Sequence, residues 1–232
     1  MIRPAASSAR IVVLSGAGLS AESGLGTFRD AGGLWARYDL EEVATPQGFA
    51  RDPALVHDFY NARRANMTAS APNAAHEALA RLSRRDGVTL VTQNIDDLLE
   101  RAGARGVVHM HGDLSRALCH ACGARWDAPA VMSPEAPCPD CGAAATRPDV
   151  VWFGEMPYRM EEIETALAAA DLFVSVGTSG TVYPAAGFAA LARAAGARTL
   201  ELNLDPSGGD FDEVRTGPAT QLVPGWVDEV MG

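Results

Sequence analysis

"RIVVLSGAGLSAESGLGTFRD", residues 10 to 30, is the stretch whose reading decides the fold. It opens with β-branched and apolar residues that predict a buried strand, RIVVLSG (10–16). Gly16 and Gly18 follow, with Ala21 in the third small position, which is the spacing of a dinucleotide-binding turn. Such a turn brings backbone N–H groups and a helix N-terminus to a pyrophosphate. A tight strand-to-helix turn without a ligand looks much the same, so the turn does not decide function by itself. The acidic residue expected about 20 positions further on in a dehydrogenase half is missing, because the chain enters an irregular region at 33–71.

Working outward, five more short apolar runs end in Gly or polar residues: VTLVTQN (88–94), VVHMHG (107–112), DVVWFGE (149–155), DLFVSVG (171–177) and RTLELNL (198–204). Helical patterns lie between several of them, NIDDLLERAG (94–103), RMEEIETALAAA (159–170) and YPAAGFAALARAAG (183–196). Repeated strand, helix, strand order predicts an α/β fold, a Rossmann-like parallel sheet with helices on both faces and ligands at the carboxyl ends of its strands. Two stretches break the alternation. They predict a small domain of about 33–71 (helical) and 114–148 beside a large one of about 1–32, 72–113 and 149–232.

Cys119 and Cys122 form one C-x-x-C and Cys138 and Cys141 another, with residues 123–137 between them. Two such knuckles can bring four thiolates around one zinc ion. Two disulfides are the rival reading, but a reducing interior disfavours them. Four sulfur ligands leave no open position, so the zinc is expected to be structural. His120, inside CHAC, reads as a surface residue of the knuckle rather than a further ligand.

The chain has 232 residues, 47% of them apolar, and a formal charge of −10. That sign opposes duplex nucleic acid and anionic membranes as partners. The start, MIRPAASSAR, lacks the apolar core of a secretory signal, and no apolar run nears the roughly 20 residues that span a bilayer. A soluble, cytoplasmic protein is expected, with a monomer compatible with the sequence. All 19 basic residues are Arg, so the chain has no lysine of its own to be acylated.

Together these segments resemble the sirtuin family, the NAD-dependent protein-lysine deacylases, over nearly the whole chain. GAGLSAESGLGTFR (16–29) is similar to that family's first motif, TQNID (92–96) to its second, and HMHG (109–112) to the segment with its catalytic histidine. The four-cysteine module, VVWFGE (150–155), GTS (177–179) and NLD (203–205) follow in the family's order.

The resemblance implies that the chain cleaves the nicotinamide bond of NAD and lets the acyl oxygen of a modified lysine attack the ribose. The backbone of Gly16, Ala17 and Gly18 with Arg29, Gly177 and Ser179 would hold the diphosphate, and Phe28 would cover the nicotinamide and its ribose. Gln93 would lie near that ribose, with Asn94, Ile95 and Asp96 in the nicotinamide pocket. Asn203 and Asp205 would bind the adenosine ribose, with Ala219 beside the adenine. His111 would be the general base, since an imidazole can accept a ribose hydroxyl proton near neutral pH. His109, which shares a face with it, and His76, near a helix start, read as packed or structural residues. A substrate peptide would add a strand against Val151, Gly154, Glu155 and Tyr183, between the two domains.

HDFYNARRA (57–65), if helical, projects Tyr60, Arg63 and Arg64 from one face. In one sirtuin class a Tyr and an Arg at the spacing of Tyr60 and Arg63 bind the free carboxylate of succinyl- or malonyl-lysine. A guanidinium fork and a phenol suit that charge. Acetyl turnover alongside is expected, and Arg64 reads as a solvated or salt-bridged neighbour. Two positions depart from the family pattern: Gly26 stands where Pro is usual, and Asp205 where Glu is common. A plain deacetylase and a mono-ADP-ribosyl side activity stay compatible with the motifs. A nicotinamide oxidoreductase would instead transfer hydride, and a zinc-ribbon nucleic-acid module is opposed by the acidic balance.

Overall fold

The computed structural model describes residues 9–26 and 38–232. In chain order they form strands β1 (Ile11–Ser15), β2 (Val88–Thr92), β3 (Val108–His109), β4 (Gly112–Cys119), β5 (Arg125–Asp127), β6 (Thr146–Val150), β7 (Leu172–Val176), β8 (Arg198–Asn203) and β9 (Glu213–Thr216). The α-helices are α1 (Leu40–Val43), α2 (Pro46–Arg51), α3 (Pro53–Ala69), α4 (Ala74–Leu82), α5 (Leu98–Arg101), α6 (Met160–Ala169), α7 (Phe188–Ala194) and α8 (Ala219–Met231).

Six strands pair in parallel in the order β3-β2-β1-β7-β8-β9. Chain order reverses between β1 and β7, where a doubly wound sheet opens a crevice at the carboxyl ends of its strands. β1 is buried throughout and apolar from Ile11 to Leu14 because both of its faces are covered. Ile11 and Val13 pack with Leu79, Leu82, Val223 and Trp226 of α4 and α8. Val12 and Leu14, pointing the other way, pack with Ile163, Leu167 and Phe188 of α6 and α7.

The run at 149–155 does not join this sheet. Only its first two residues are strand, within β6, which pairs antiparallel with β4 in a three-stranded sheet β5-β4-β6. The rest is captured by tertiary bonds: the Val151 N–H donates to the His111 carbonyl at 2.8 Å and the Phe153 N–H to Ala44 at 2.9 Å.

Asp52 caps α3 by accepting the Leu55 N–H at 2.9 Å, with Pro53 in the first turn. That helix buries Val56, Phe59, Tyr60 and Met67 against Leu114, Val150 and Trp152. Among the described residues, no helix is long and apolar enough to cross a membrane.

Candidate functional site

The ends of β1 and β7 meet as bare backbone. The Gly16 N–H donates to Val176 O and the Gly18 N–H to Gly177 O, both at 2.9 Å. A Cβ on Gly18 would lie 2.7 Å from Gly177 Cα, and one on Gly177, whose φ is +59°, 2.7 Å from Gly18 Cα. The sequence reading needs correction here. These two N–H groups are spent inside the protein, and two short 3₁₀ turns, Ala17–Leu19 and Ala21–Ser23, stand in place of the expected helix N-terminus. The glycines therefore serve to bring two strand ends into contact. Phe28 and Arg29 lie outside the described residues.

The end of β2 lies beside this turn. The Gln93 N–H donates to Ser15 O at 2.9 Å, and Asn94 Nδ2 donates to Gly16 O at 3.0 Å. Asp96 accepts from Ser20 Oγ at 3.0 Å and from the Leu98 N–H at 3.2 Å. Burial pushes its carboxyl upward from the ordinary aspartate range, opposed by these two donors. Ile95 packs against the buried cluster that contains Trp152 and Tyr60, and its carbonyl accepts the Leu114 N–H at 2.8 Å. The bonds that hold Asn94 and Asp96 keep 94–97 out of the helix expected from residue 94, leaving the single turn α5.

Behind Asp96 runs a relay that the sequence reading missed. His76 Nδ1 accepts the Asn73 N–H at 3.2 Å, so its Nε2 carries the proton and donates to Ser20 Oγ at 3.2 Å. His76 is fully buried, and burial lowers its pKa to about 4. The visible sign was N-A-A-H at 73–76, a cap residue with its partner three positions on.

His111 Nδ1 faces the Gln93 carbonyl at 3.1 Å. A carbonyl only accepts, so Nδ1 carries the proton and Nε2 keeps its lone pair. Burial lowers the His111 pKa, partly offset by that bond, which keeps the ring neutral and able to take a proton. Two residues earlier, at the end of β3, His109 is held at both nitrogens, by Asn94 O at 3.3 Å and by Glu100 Oε1 at 2.9 Å.

Ser179 is half-buried and shares a 2.8 Å hydroxyl bond with Thr181. Asn203 Nδ2 donates to Thr178 O at 2.8 Å and to the buried Glu201 at 3.0 Å. Asp205 is exposed beyond it. Ala219 opens α8, whose first turn is tied to Glu22 through the Thr220 N–H at 3.0 Å and Oγ1 at 2.7 Å.

Across the centre, Tyr60 is buried in α3 and its hydroxyl accepts the Trp152 indole N–H at 3.0 Å. The Arg63 guanidinium stands 5.8 Å from the Tyr60 ring centroid and within electrostatic reach of Asp96. Arg64 is not solvated or salt-bridged as expected. It is buried, donating Nε to Leu114 O and Nη1 to Asn61, both at 3.0 Å. Glu155 is gripped by Arg147 at 2.7 and 2.9 Å and accepts the Trp152 N–H at 2.8 Å. Burial works against its ionisation, yet Arg147 and that N–H hold it below the ordinary glutamate range. Its side chain thus braces the loop, with Gly154 turning beside it at φ +90°. Phe153, Met156 and Tyr183 are exposed nearby.

The four cysteine sulfurs lie within 4.8 Å of one another, with Cys119–Cys141 at 3.8 Å and Cys122–Cys138 at 3.7 Å. A tetrahedron of roughly 2.3 Å Zn–S bonds has edges of about 3.8 Å, whereas a disulfide needs about 2.05 Å. The cluster fits structural zinc. His120 is exposed outside it.

A model of the Sir2 family matches residues 16–184. The chain belongs to the Sir2 family. A relative from Caulobacter vibrioides named NAD-dependent protein deacylase is 59% identical over 230 residues, covering 96% of this chain and 97% of the relative. One of the same name from Salmonella typhimurium is 53% identical, covering 96% and 84%. Among solved structures, a Sir2 homologue in complex with NAD has a TM-score of 0.89 at 37% identity, over 97% of this chain and 91% of the other. Sir2 bound to an acetylated peptide has a TM-score of 0.83 at 26% identity, over 95% and 92%.

Proposed function

We propose that this Sir2-family protein is an NAD-dependent protein-lysine deacylase that removes succinyl, malonyl and acetyl groups. The observation that carries the acyl preference is the placement of Tyr60 and Arg63 on α3 within reach of both Trp152 and Asp96. NAD, when bound, supplies a ribose carbon that loses nicotinamide and takes up the acyl oxygen. The crevice at β1 and β7 suits such a ligand, with Ser179, Asn203 and Asp205 at strand ends on one side and Asn94 and Asp96 on the other.

Each side chain has a task in this reading. Asp96, held by Ser20, accepts the carboxamide N–H of the leaving group. His111 Nε2 accepts the proton of a ribose hydroxyl. The Arg63 fork and the Tyr60 hydroxyl bind the acyl carboxylate. Tyr60 accepts from Trp152 and so keeps its own hydrogen to give. The peptide enters between the parallel-sheet unit and the smaller unit of helix and zinc ribbon, over Val151, Gly154, Glu155 and Tyr183. Glu155 would contribute through its backbone, because Arg147 holds its side chain.

The test is NAD-dependent deacylation of one peptide carrying either acetyl-lysine or succinyl-lysine, with wild type and Arg63→Met compared. Loss of succinyl turnover alone in Arg63→Met supports the reading. Wild-type removal of acetyl but not succinyl makes the protein a plain deacetylase, and failure on both removes the deacylase reading.

A further inference from the structure

His109 ends β3 and His111 lies two residues on, in the turn before β4, and each faces a carbonyl of the adjoining loop. His111 faces Gln93 O and His109 faces Asn94 O. The two rings differ in their second nitrogen. His109 Nε2 lies 2.9 Å from Glu100 Oε1. A carbonyl and a carboxylate are both acceptors, so His109 satisfies them only as an imidazolium. In this geometry His109 is an imidazolium two residues from a neutral imidazole.

We propose that the His109–Glu100 pair is a positioning device for NAD, holding the backbone of Asn94 in register and placing a positive charge toward Asp96. This rests on the reading of 93–96 as the cofactor loop. The reading of His109 as a merely packed histidine does not account for two directed bonds. Asn94 is clamped from both ends: its side chain by Gly16 O at 3.0 Å and Ser20 Oγ at 3.2 Å, its carbonyl by His109. Releasing the carbonyl frees the segment that also presents Asp96.

The charges around His109 favour its cationic form. Glu100 of α5 and Asp113 of β4 face it, and Asp96 feels its charge. Arg159, which reaches Val107 O at 3.5 Å, is neutralised by Glu162. Burial, the largest single influence, would lower the His109 pKa, but Glu100, Asp113 and the Asn94 carbonyl together carry the net shift upward. A raised folded pKa means that the clamp is complete below about pH 6.5 and is lost as pH rises through the folded value.

Three proteins decide the matter: wild type, His109→Gln and Glu100→Gln. NAD affinity by calorimetry and acyl-peptide kcat are measured from about pH 6 to about pH 9, and the histidine rings are titrated by NMR. Wild-type affinity should weaken as His109 deprotonates. Both variants should bind NAD roughly three- to tenfold more weakly at the acid end, with a flat pH profile and kcat nearly unchanged. His109 should titrate above His111 in wild type and fall in Glu100→Gln. Variants that keep wild-type affinity and pH dependence, or a His109 that titrates no higher than His111, overturn the inference. If NAD binds but no acyl peptide turns over, the deacylase reading fails while the calorimetry still decides this one. If NAD itself does not bind, the inference falls together with the reading of the loop.

Discussion

Trp152 donates its indole N–H to the Tyr60 hydroxyl at 3.0 Å, joining the loop after β6 to the middle of α3. Both side chains are buried. Tyr60→Phe removes the acceptor and strands that N–H, at a cost of about 1–3 kcal/mol. It should also raise the KM for a succinyl peptide roughly tenfold and leave acetyl turnover within reach of wild type. Steady-state kinetics on both peptides checks this, and an equal loss on both would make the bond purely structural.

His111 uses one nitrogen to hold Gln93 O and leaves the other for chemistry. His111→Ala should lower deacylation by at least about 100-fold with the far-ultraviolet circular dichroism unchanged. Nicotinamide release, followed in the same samples, reports whether the earlier cleavage step survives. Wild-type deacylation in the variant would end the assignment of the general base.

Zinc content should be one per chain, bound by Cys119, Cys122, Cys138 and Cys141. Cys122→Ser removes a thiolate from a closed site and should release the metal and lower the melting temperature. Elemental analysis and calorimetric unfolding measure both effects. Retention of zinc by a double Cys122→Ser, Cys141→Ser variant would rule out the four-sulfur site.

His76, with a pKa of about 4, gives a pH dependence of opposite sign to that of His109. Its folded pKa lies below the unfolded value, so its stabilising effect is full above about pH 6.5 and declines as pH falls toward the folded value. The accumulated loss is on the order of 3 kcal/mol. His76→Gln keeps a capping-box partner for Asn73 and should flatten this part of a urea-unfolding series. An unchanged slope would place the titrating group elsewhere.

The strands legible in the sequence were those covered on both faces, where burial favours a nearly continuous run of apolar residues. β1, β7 and β8 lie within their predicted runs for this reason. α8 went unread because Pro218, Pro224 and Gly225 look like breakers. The helix tolerates Pro224 because Val223, Trp226 and Val227 are buried against the sheet. β4 carries few β-branched residues and alternates in burial only roughly. Of the centre, the glycines were read as a phosphate turn although their N–H groups are spent between β1 and β7, whereas TQNID, HMHG and the cysteines were legible as segments. Ser20, His76, Arg147 and the burial of Arg64 were not, since each depends on a partner at least 8 residues away in the chain.

β4 leaves His111 directly and runs to Cys119. Eight residue steps at about 3.3 Å each give a lever arm of up to about 26 Å. One end adjoins His111 and the other is Cys119 of the four-cysteine cluster. The four-cysteine cluster and the His111 turn are therefore joined by a single strand. Loss of zinc in Cys122→Ser should therefore lower deacylation along with metal content, although Cys122 itself is exposed on the surface.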